Sequence, residues 1–163
     1  MPDRDAQAGS ADSTEVVPLS LDGFLPYRLS ILAECVSRAF ARHYERRFGL
    51  SIAEWRVMAV LGEQSPRSTQ DVIVRTRMER AKVSRAAIRL TERGLIARTP
   101  QSGDQRAHDL KLSRRGLAMY RQIVPVAHAL QSELTQELGK AEKHRLDDML
   151  TKLQRYAEHL APD

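Results

Sequence analysis

Cysteine occurs once in the 163 residues, at Cys35, so no disulfide can form within the chain. That economy fits a reducing compartment, the cytoplasm. No apolar run approaches the roughly 18 residues of a membrane span. The opening "MPDRDAQAGSADSTEVVP" lacks an apolar h-region and does not read as a secretory signal. Its Asp, Ser, Gly, Ala and Pro content reads as a disordered tail, residues 1–18. Catalytic patterns are missing too. The histidines His43, His108, His128, His144 and His159 form no H-x-x-x-H or H-E-x-x-H pair, and no cysteine cluster supports zinc. Neither a G-x-S-x-G elbow nor a Walker-type loop occurs. In "HRLDD", His144 and Asp148 lie four apart on a helix and could hold a metal, but solvated helix polarity is the commoner reading of such a pair. The expectation is a protein that is not an enzyme, with no cofactor and no metal.

What the chain has is positive charge in one place. The formal net charge is +5. Between Arg75 and Arg115, 12 Lys/Arg stand against 4 Asp/Glu, whereas the remainder holds 14 against 17. A basic middle on a slightly acidic frame points to a localised polyanion site or to a solvated basic face.

The apolar pattern is mostly helical. Leu25, Leu29, Leu32, Val36, Phe40 and His43 recur at three- and four-residue steps, predicting a helix over about 21–48 with Pro26 in its first turn. Gly49 ends it. Ser51 and Glu54 offer a capping box for a helix that stops near Gly62, and Ser68 with Asp71 offers another for a short helix over about 68–76. A fourth helix runs from near Glu79 to Gly94, a C′ glycine. "GLIARTP" and "AHDLKLS" read as a β-hairpin, with Leu110 and Leu112 alternating against Asp109 and Lys111. The charged tip between them, "SGDQR", suits a solvated turn, the mouth of a catalytic site or a finger reaching a polyanion. Ser113 then caps a long helix to about Leu138, with Pro125 inside it predicting a kink. A last helix, about 140–160, carries Leu146, Met149, Leu153, Tyr156 and Leu160 in heptad-like spacing. These flanking stripes require a partner, and the simplest is a second copy.

On a helical wheel with Lys82 at 0°, Arg85, Arg89 and Arg93 fall near 300°, 340° and 20°, an arc of roughly 80°. Val83, Ala87 and Leu90 form the opposite, buried side, and Ala86 adds little bulk to the cationic one. A helix about 10–12 Å wide fits a major groove about 12 Å wide, and Arg suits bidentate contact with guanine. If the polyanion is DNA, Arg85 and Arg89 would read bases while Lys82, Ser84 and Arg75 would mostly position the backbone.

The run "VSRAAIRLTERGLIARTPQSGDQRAHDLKLSRRG" resembles the MarR family of bacterial winged helix-turn-helix regulators. It carries Leu90, Gly94-Leu95-Ile96, Arg98, Asp104, Arg106, Leu110, Leu112, Ser113 and Gly116 in the family's places, with Ser113 where Thr is commoner. "FGLSIAEWRVM" resembles the family's second-helix opening. The resemblance covers about Leu21 to Leu160. It implies a mainly α fold with a small β-hairpin wing: a dimerisation helix over 19–48, a winged helix-turn-helix over 49–113 and dimerisation helices over 114–163. It further implies a cytoplasmic homodimer that binds an inverted repeat in double-stranded DNA, usually as a repressor released by a small effector. Arg98 and Arg106 join the DNA-contacting set, Arg106 in or beside the minor groove, while Asp104 orients the wing's arginines. The effector pocket would draw on Tyr27, Arg28, Trp55, Arg56, Met58, Met119 and Ile123. An arginine beside aromatics suits an aromatic carboxylate or an aromatic acyl-CoA, and "SLDGFLPYRLSIL" looks like a branch linked to aromatic-acid catabolism. Cys35 does not match the position of the family's oxidant-sensing cysteines and reads as a small buried residue. The rival reading is a helical dimeric protein-interaction module without sequence-specific DNA binding.

Overall fold

Six helices and three short strands follow one another in a computed structural model. It describes residues 18–101 and 104–160, with residues 100, 101 and 104–108 given by backbone alone. The tail expected over 1–18 lies outside the described residues except for Pro18. The chain divides into two compact units, one ending at Val36 and the other starting at Ser37.

In the first unit a 3-10 turn, Leu21–Gly23, leads into helix α1, Leu25–Phe48. Pro26 lies in the first turn, where its missing N–H costs nothing. Leu25 and Leu32 are 47% and 58% exposed. Cys35 is exposed as well, contrary to the expected small buried residue, because nine residues of helix put it on the side of α1 opposite Tyr44.

The second unit starts with the rest of α1. Here Tyr44, not His43, enters the core. Four residues from Phe40 keep the stripe within about 40° on a helix, whereas three residues swing it back by about 60°. Helix α2, Ile52–Glu63, opens on the expected capping box: Glu54 N–H donates to Ser51 Oγ at 3.3 Å, and Ser51 N–H donates to Glu54 Oε2 at 2.7 Å. The helix ends at Glu63, near Gly62 as expected, and Gly62 itself lies in the last turn. A Cβ there would come within 2.3 Å of the Tyr120 ring, so the glycine is where an aromatic side chain lies against the helix backbone.

Strand β1, Arg67–Ser68, precedes α3, Thr69–Thr76, whose N-cap Ser68 accepts from Asp71 N–H at 3.0 Å. Helix α4, Arg80–Glu92, ends in a Schellman motif. Gly94 takes φ +65°, its N–H reaches Thr91 O, and Leu95 N–H reaches Leu90 O. Leu95 is then fully buried, the apolar contact that usually completes this cap. Ser113 ties the next junction to the same place. Its hydroxyl donates to Gly94 O at 2.7 Å while accepting from Gly116 N–H, capping α5, Arg114–Leu134.

The hairpin is present as β2, Ile96–Gln101, and β3, Asp104–Leu112, in register Ile96↔Leu112 and Arg98↔Leu110. Asp104, Gln105 and Arg106, read as its charged tip, belong by backbone to β3. The sequence reading missed β1, which pairs with β3 through Arg67↔Leu110 and makes the sheet order β1-β3-β2. Helix α5 stops at Leu134, short of Leu138, and a turn leads to Gly139 and α6, Lys140–Leu160. The core collects Leu50, Met58, Leu61, Leu90, Leu110 and Ile123 from α2, α4, β3, α5 and the loop before α2.

Candidate nucleic-acid interface

The core fixes which way α4 faces. Val83, Ala86, Ala87 and Leu90 are buried, so Ala86 belongs to the packed side and not to the cationic one. On the wheel it lies between the two arcs, about 40° from Lys82, and the small side chain fits under the neighbouring helix.

Lys82, Arg85 and Arg89 are exposed and line one shallow depression of about 240 Å³ together with Ser51, Ile52 and Ala53. None of the three is paired with a carboxylate among the described residues. The start of α2 therefore borders the cationic side of α4, an adjacency the sequence reading did not foresee. Arg93, the fourth member of the predicted arc, leaves it. Its guanidinium donates to Gly49 O at 2.7 Å and to Phe48 O at 3.0 Å, closing the carbonyl end of α1. It is the C-cap residue of α4 and keeps αR backbone, and what takes its guanidinium from the arc is the pair of carbonyls at the end of α1. The sequence signal that could have found this is the positive end of a side chain available for the carbonyls before Gly49, but no local spacing links positions so far apart in the chain.

The remaining expected contacts scatter. Ser84 is half-buried and is not among the residues lining the depression. Arg75 is exposed and bonded to Glu63 at 2.8 Å, a pair a phosphate would have to compete with. Arg98 is exposed on β2. The side chains of Asp104 and Arg106 lie outside the described residues. Two links around α3 and α4 were not foreseen. Arg80 donates to Gln70 at 2.9 Å, and Arg77, with φ 51° at the turn between the two helices, reaches Glu158 of α6 at 2.7 Å. Hydrogen bonds from Arg77 and Gln154 hold the Glu158 carboxyl below its usual range.

The proposed effector residues divide likewise. Tyr27 and Arg28 are exposed on α1 in the first unit, and Arg56 is exposed on α2. Met58 and Ile123 are fully buried core residues, and Met119 packs against that core. Trp55 is half-buried within an aromatic series. Its ring lies 5.2 Å from Tyr44 and 6.1 Å from Tyr120, the latter stacked, and Tyr44 meets Phe40 edge-on at 6.3 Å. Burial raises the Tyr44 hydroxyl above its ordinary pKa. His144 and Asp148 lie 3.8 Å apart and exposed, and no group of three metal-binding side chains occurs among the described residues. No described helix is long and apolar enough to cross a membrane.

A three-helix unit closed by a short three-stranded sheet, with a cationic helix facing outward, is a winged helix-turn-helix, the architecture of a DNA-binding transcriptional regulator. The MarR family model matches residues 48–107, which run from the end of α1 into β3, and this part of the chain is similar to that family. A MarR/EmrR family transcriptional regulator from Acinetobacter sp. ADP1 superposes with a TM-score of 0.79 at 26% identity, covering 86% of this chain and 99% of that one. The HTH-type transcriptional regulator FarR of Neisseria gonorrhoeae is 27% identical over 107 residues, 66% of this chain and 73% of FarR. The homoprotocatechuate degradative operon repressor of Escherichia coli is 23% identical over 116 residues, 69% of this chain and 78% of the repressor.

Proposed function

We propose that this regulator is a cytoplasmic homodimeric repressor that binds an inverted repeat and releases it when a small aromatic acid or aromatic acyl-CoA binds. The observation that carries the DNA half is the outward side of α4, where Lys82, Arg85 and Arg89 converge without a carboxylate partner among the described residues. Arg85 and Arg89 read base edges. Lys82, Ser84 and Arg75 engage phosphates, Arg75 by exchanging Glu63 for DNA, and Arg98 and Arg106 serve the wing.

The dimer is supported by uncovered apolar surface. Helix α6 buries no residue, and Met149, Leu150 and Tyr156 are 54%, 48% and 63% exposed. A solitary amphipathic helix of this kind requires a partner. The division into 19–48 and 114–163 for dimerisation and 49–113 for DNA binding follows from that assignment. Two symmetric α4 helices would then sit one DNA turn, roughly 34 Å, apart.

For the effector, support comes from the aromatic series through Trp55, with Arg56 on the same helix and Met58, Met119 and Ile123 in or against the same core, while Tyr27 and Arg28 are added from the sequence alone. The naming of a similar repressor for homoprotocatechuate degradation points the same way.

Gel-shift titration across salt concentrations tests the DNA half. Binding by several cations must weaken steeply with salt, whereas the α6 stripe acting as a protein-interaction surface would hardly respond. Arg89→Ala and Arg106→Ala should each weaken operator binding, and unchanged affinity in both would defeat the assignment. Thermal-shift screening of phenolic acids and their CoA thioesters tests the effector. A compound that stabilises the protein and lowers operator affinity is the expected result, and no shift with any of them would remove this effector class.

A further inference from the structure

The buried residues of α4 define its outward direction more closely than its charges do. Ala86, Leu90, Val83 and Ala87 together span an arc of roughly 100° on the helical wheel, and the outward direction is the one opposite the middle of that arc. Ala81 lies within about 10° of it, and Ile88 and Arg85 flank it by about 30° on either side. Glu92 shares the direction, but it is the last residue of α4, and a reading helix meets base edges with its N-terminal part. Ile88 is 46% exposed, a β-branched apolar side chain at the centre of the surface a DNA-reading helix would present.

Among the described residues, no packing in the core holds Ile88 there. It is absent from the core and from the side chains packed against it. A β-branched residue also has lower helix propensity than Ala, Lys or Glu at an exposed helix position. The major groove, by contrast, offers one apolar feature, the C5-methyl group of thymine.

We infer that Ile88 is a specificity-determining residue that packs on a thymine methyl beside the base edge met by Arg85. The small Ala81, one turn before Arg85 on the same row, lets the helix approach closely enough for that contact. Specificity would then have two chemical parts: guanidinium groups that select hydrogen-bond acceptors, and one branched hydrocarbon that selects a methyl group.

This inference rests on α4 being the DNA-reading helix, and the experiment separates the two ideas. The probe is a duplex of about 30 base pairs, enough for two half-sites, enriched from a random library on the wild-type protein. Each thymidine is replaced in turn by deoxyuridine, which removes only the methyl group. At one thymine per half-site, the wild-type protein should lose about fourfold in affinity for one methyl and about fifteenfold for both. Ile88→Ala should bind the parent duplex correspondingly more weakly and be indifferent to deoxyuridine at that position, with an unchanged melting temperature. Val74→Ala, which trims a 64% exposed apolar side chain on α3, should retain the wild-type penalty.

If Ile88→Ala keeps the full penalty at every position, or if the wild-type protein ignores every replacement, the inference is overturned while the arginine assignments stand. If no duplex is enriched and binding is insensitive to salt, the DNA-reading role of α4 falls and this inference with it.

Discussion

Replacing Arg93 by methionine should destabilise the protein without touching its electrostatic grip on DNA. The substitution keeps the aliphatic stem and removes two hydrogen bonds, to Gly49 O at 2.7 Å and to Phe48 O at 3.0 Å. A hydrogen bond to a charged group contributes about 1.5–3 kcal/mol where it is well shielded. Here the Gly49 bond is exposed and only the Phe48 bond is partly buried, so water recovers much of the loss. A net cost of about 1.5–3 kcal/mol for the pair is reasonable, equivalent to a fall in melting temperature of roughly 3–12 °C for a chain of this size. Lys82→Met provides the opposite case. It should leave stability within about 0.5 kcal/mol but reduce the slope of log affinity against log salt by about 0.9 per lost phosphate contact, about 2 for a dimer. Arg89→Ala should cost about 1–3 kcal/mol on the selected operator and much less on an unrelated duplex. Thermal melts and salt-dependent gel shifts on the three variants, at one protein concentration, give both readings. An Arg93→Met protein that melts like wild type yet shows a reduced salt slope would refute the sorting of these three cations into one structural and two DNA-facing groups.

Gly62→Ala should destabilise by about 1–3 kcal/mol in urea unfolding despite the better helix propensity of alanine, because its Cβ would meet the Tyr120 ring at 2.3 Å. Leu153→Asp on α6 should shift the protein toward monomer in analytical ultracentrifugation, since it places a charge in the apolar stripe proposed to cover its twin. The Tyr44 hydroxyl, raised by burial, adds stability that is complete below its unfolded pKa near 10.0 and is lost as pH rises through its folded value. Tyr44→Phe should therefore flatten the alkaline limb of the melting-temperature profile. Glu158, held low by Arg77, adds stability above the ordinary carboxylate pKa of 4.5 that is lost as pH falls through its folded value. Glu158→Gln should erase that small acid-limb difference, more visibly at low salt because the pair is exposed.

The parts of the fold that could be read in advance are those governed by neighbours in sequence. The Ser51–Glu54 box, the Ser68 and Ser113 caps, the Gly94 terminator and the alternation around Leu110 each depend on residues within about one turn, and each formed as their chemistry requires. The misreadings are long-range. Strand β1 exists only because Arg67 and Ser68 meet Leu110 and Asp109 across the chain, and two residues carry no periodicity of their own. Gly62 marks the helix end, which comes at Glu63, but its packing against Tyr120, far along the chain on α5, has no local signal. Arg93 reads as a DNA contact because a wheel records direction but not the carbonyls waiting at the end of another helix.

The same limit governs how the sequence divides the surface of α4. Charge marks its cationic edge, and the wheel places that edge opposite the core. Burial moves the outward direction well away from that edge, because Ala86 is packed and Arg93 is engaged elsewhere. That shift brings Ile88 from the margin of a basic stripe to the middle of the exposed surface. A helix read by charge alone would be expected to bind any duplex with suitably placed phosphates and guanines. One with an exposed branched hydrocarbon at its centre should distinguish thymine from uracil, a difference of one methyl group that no phosphate contact can register.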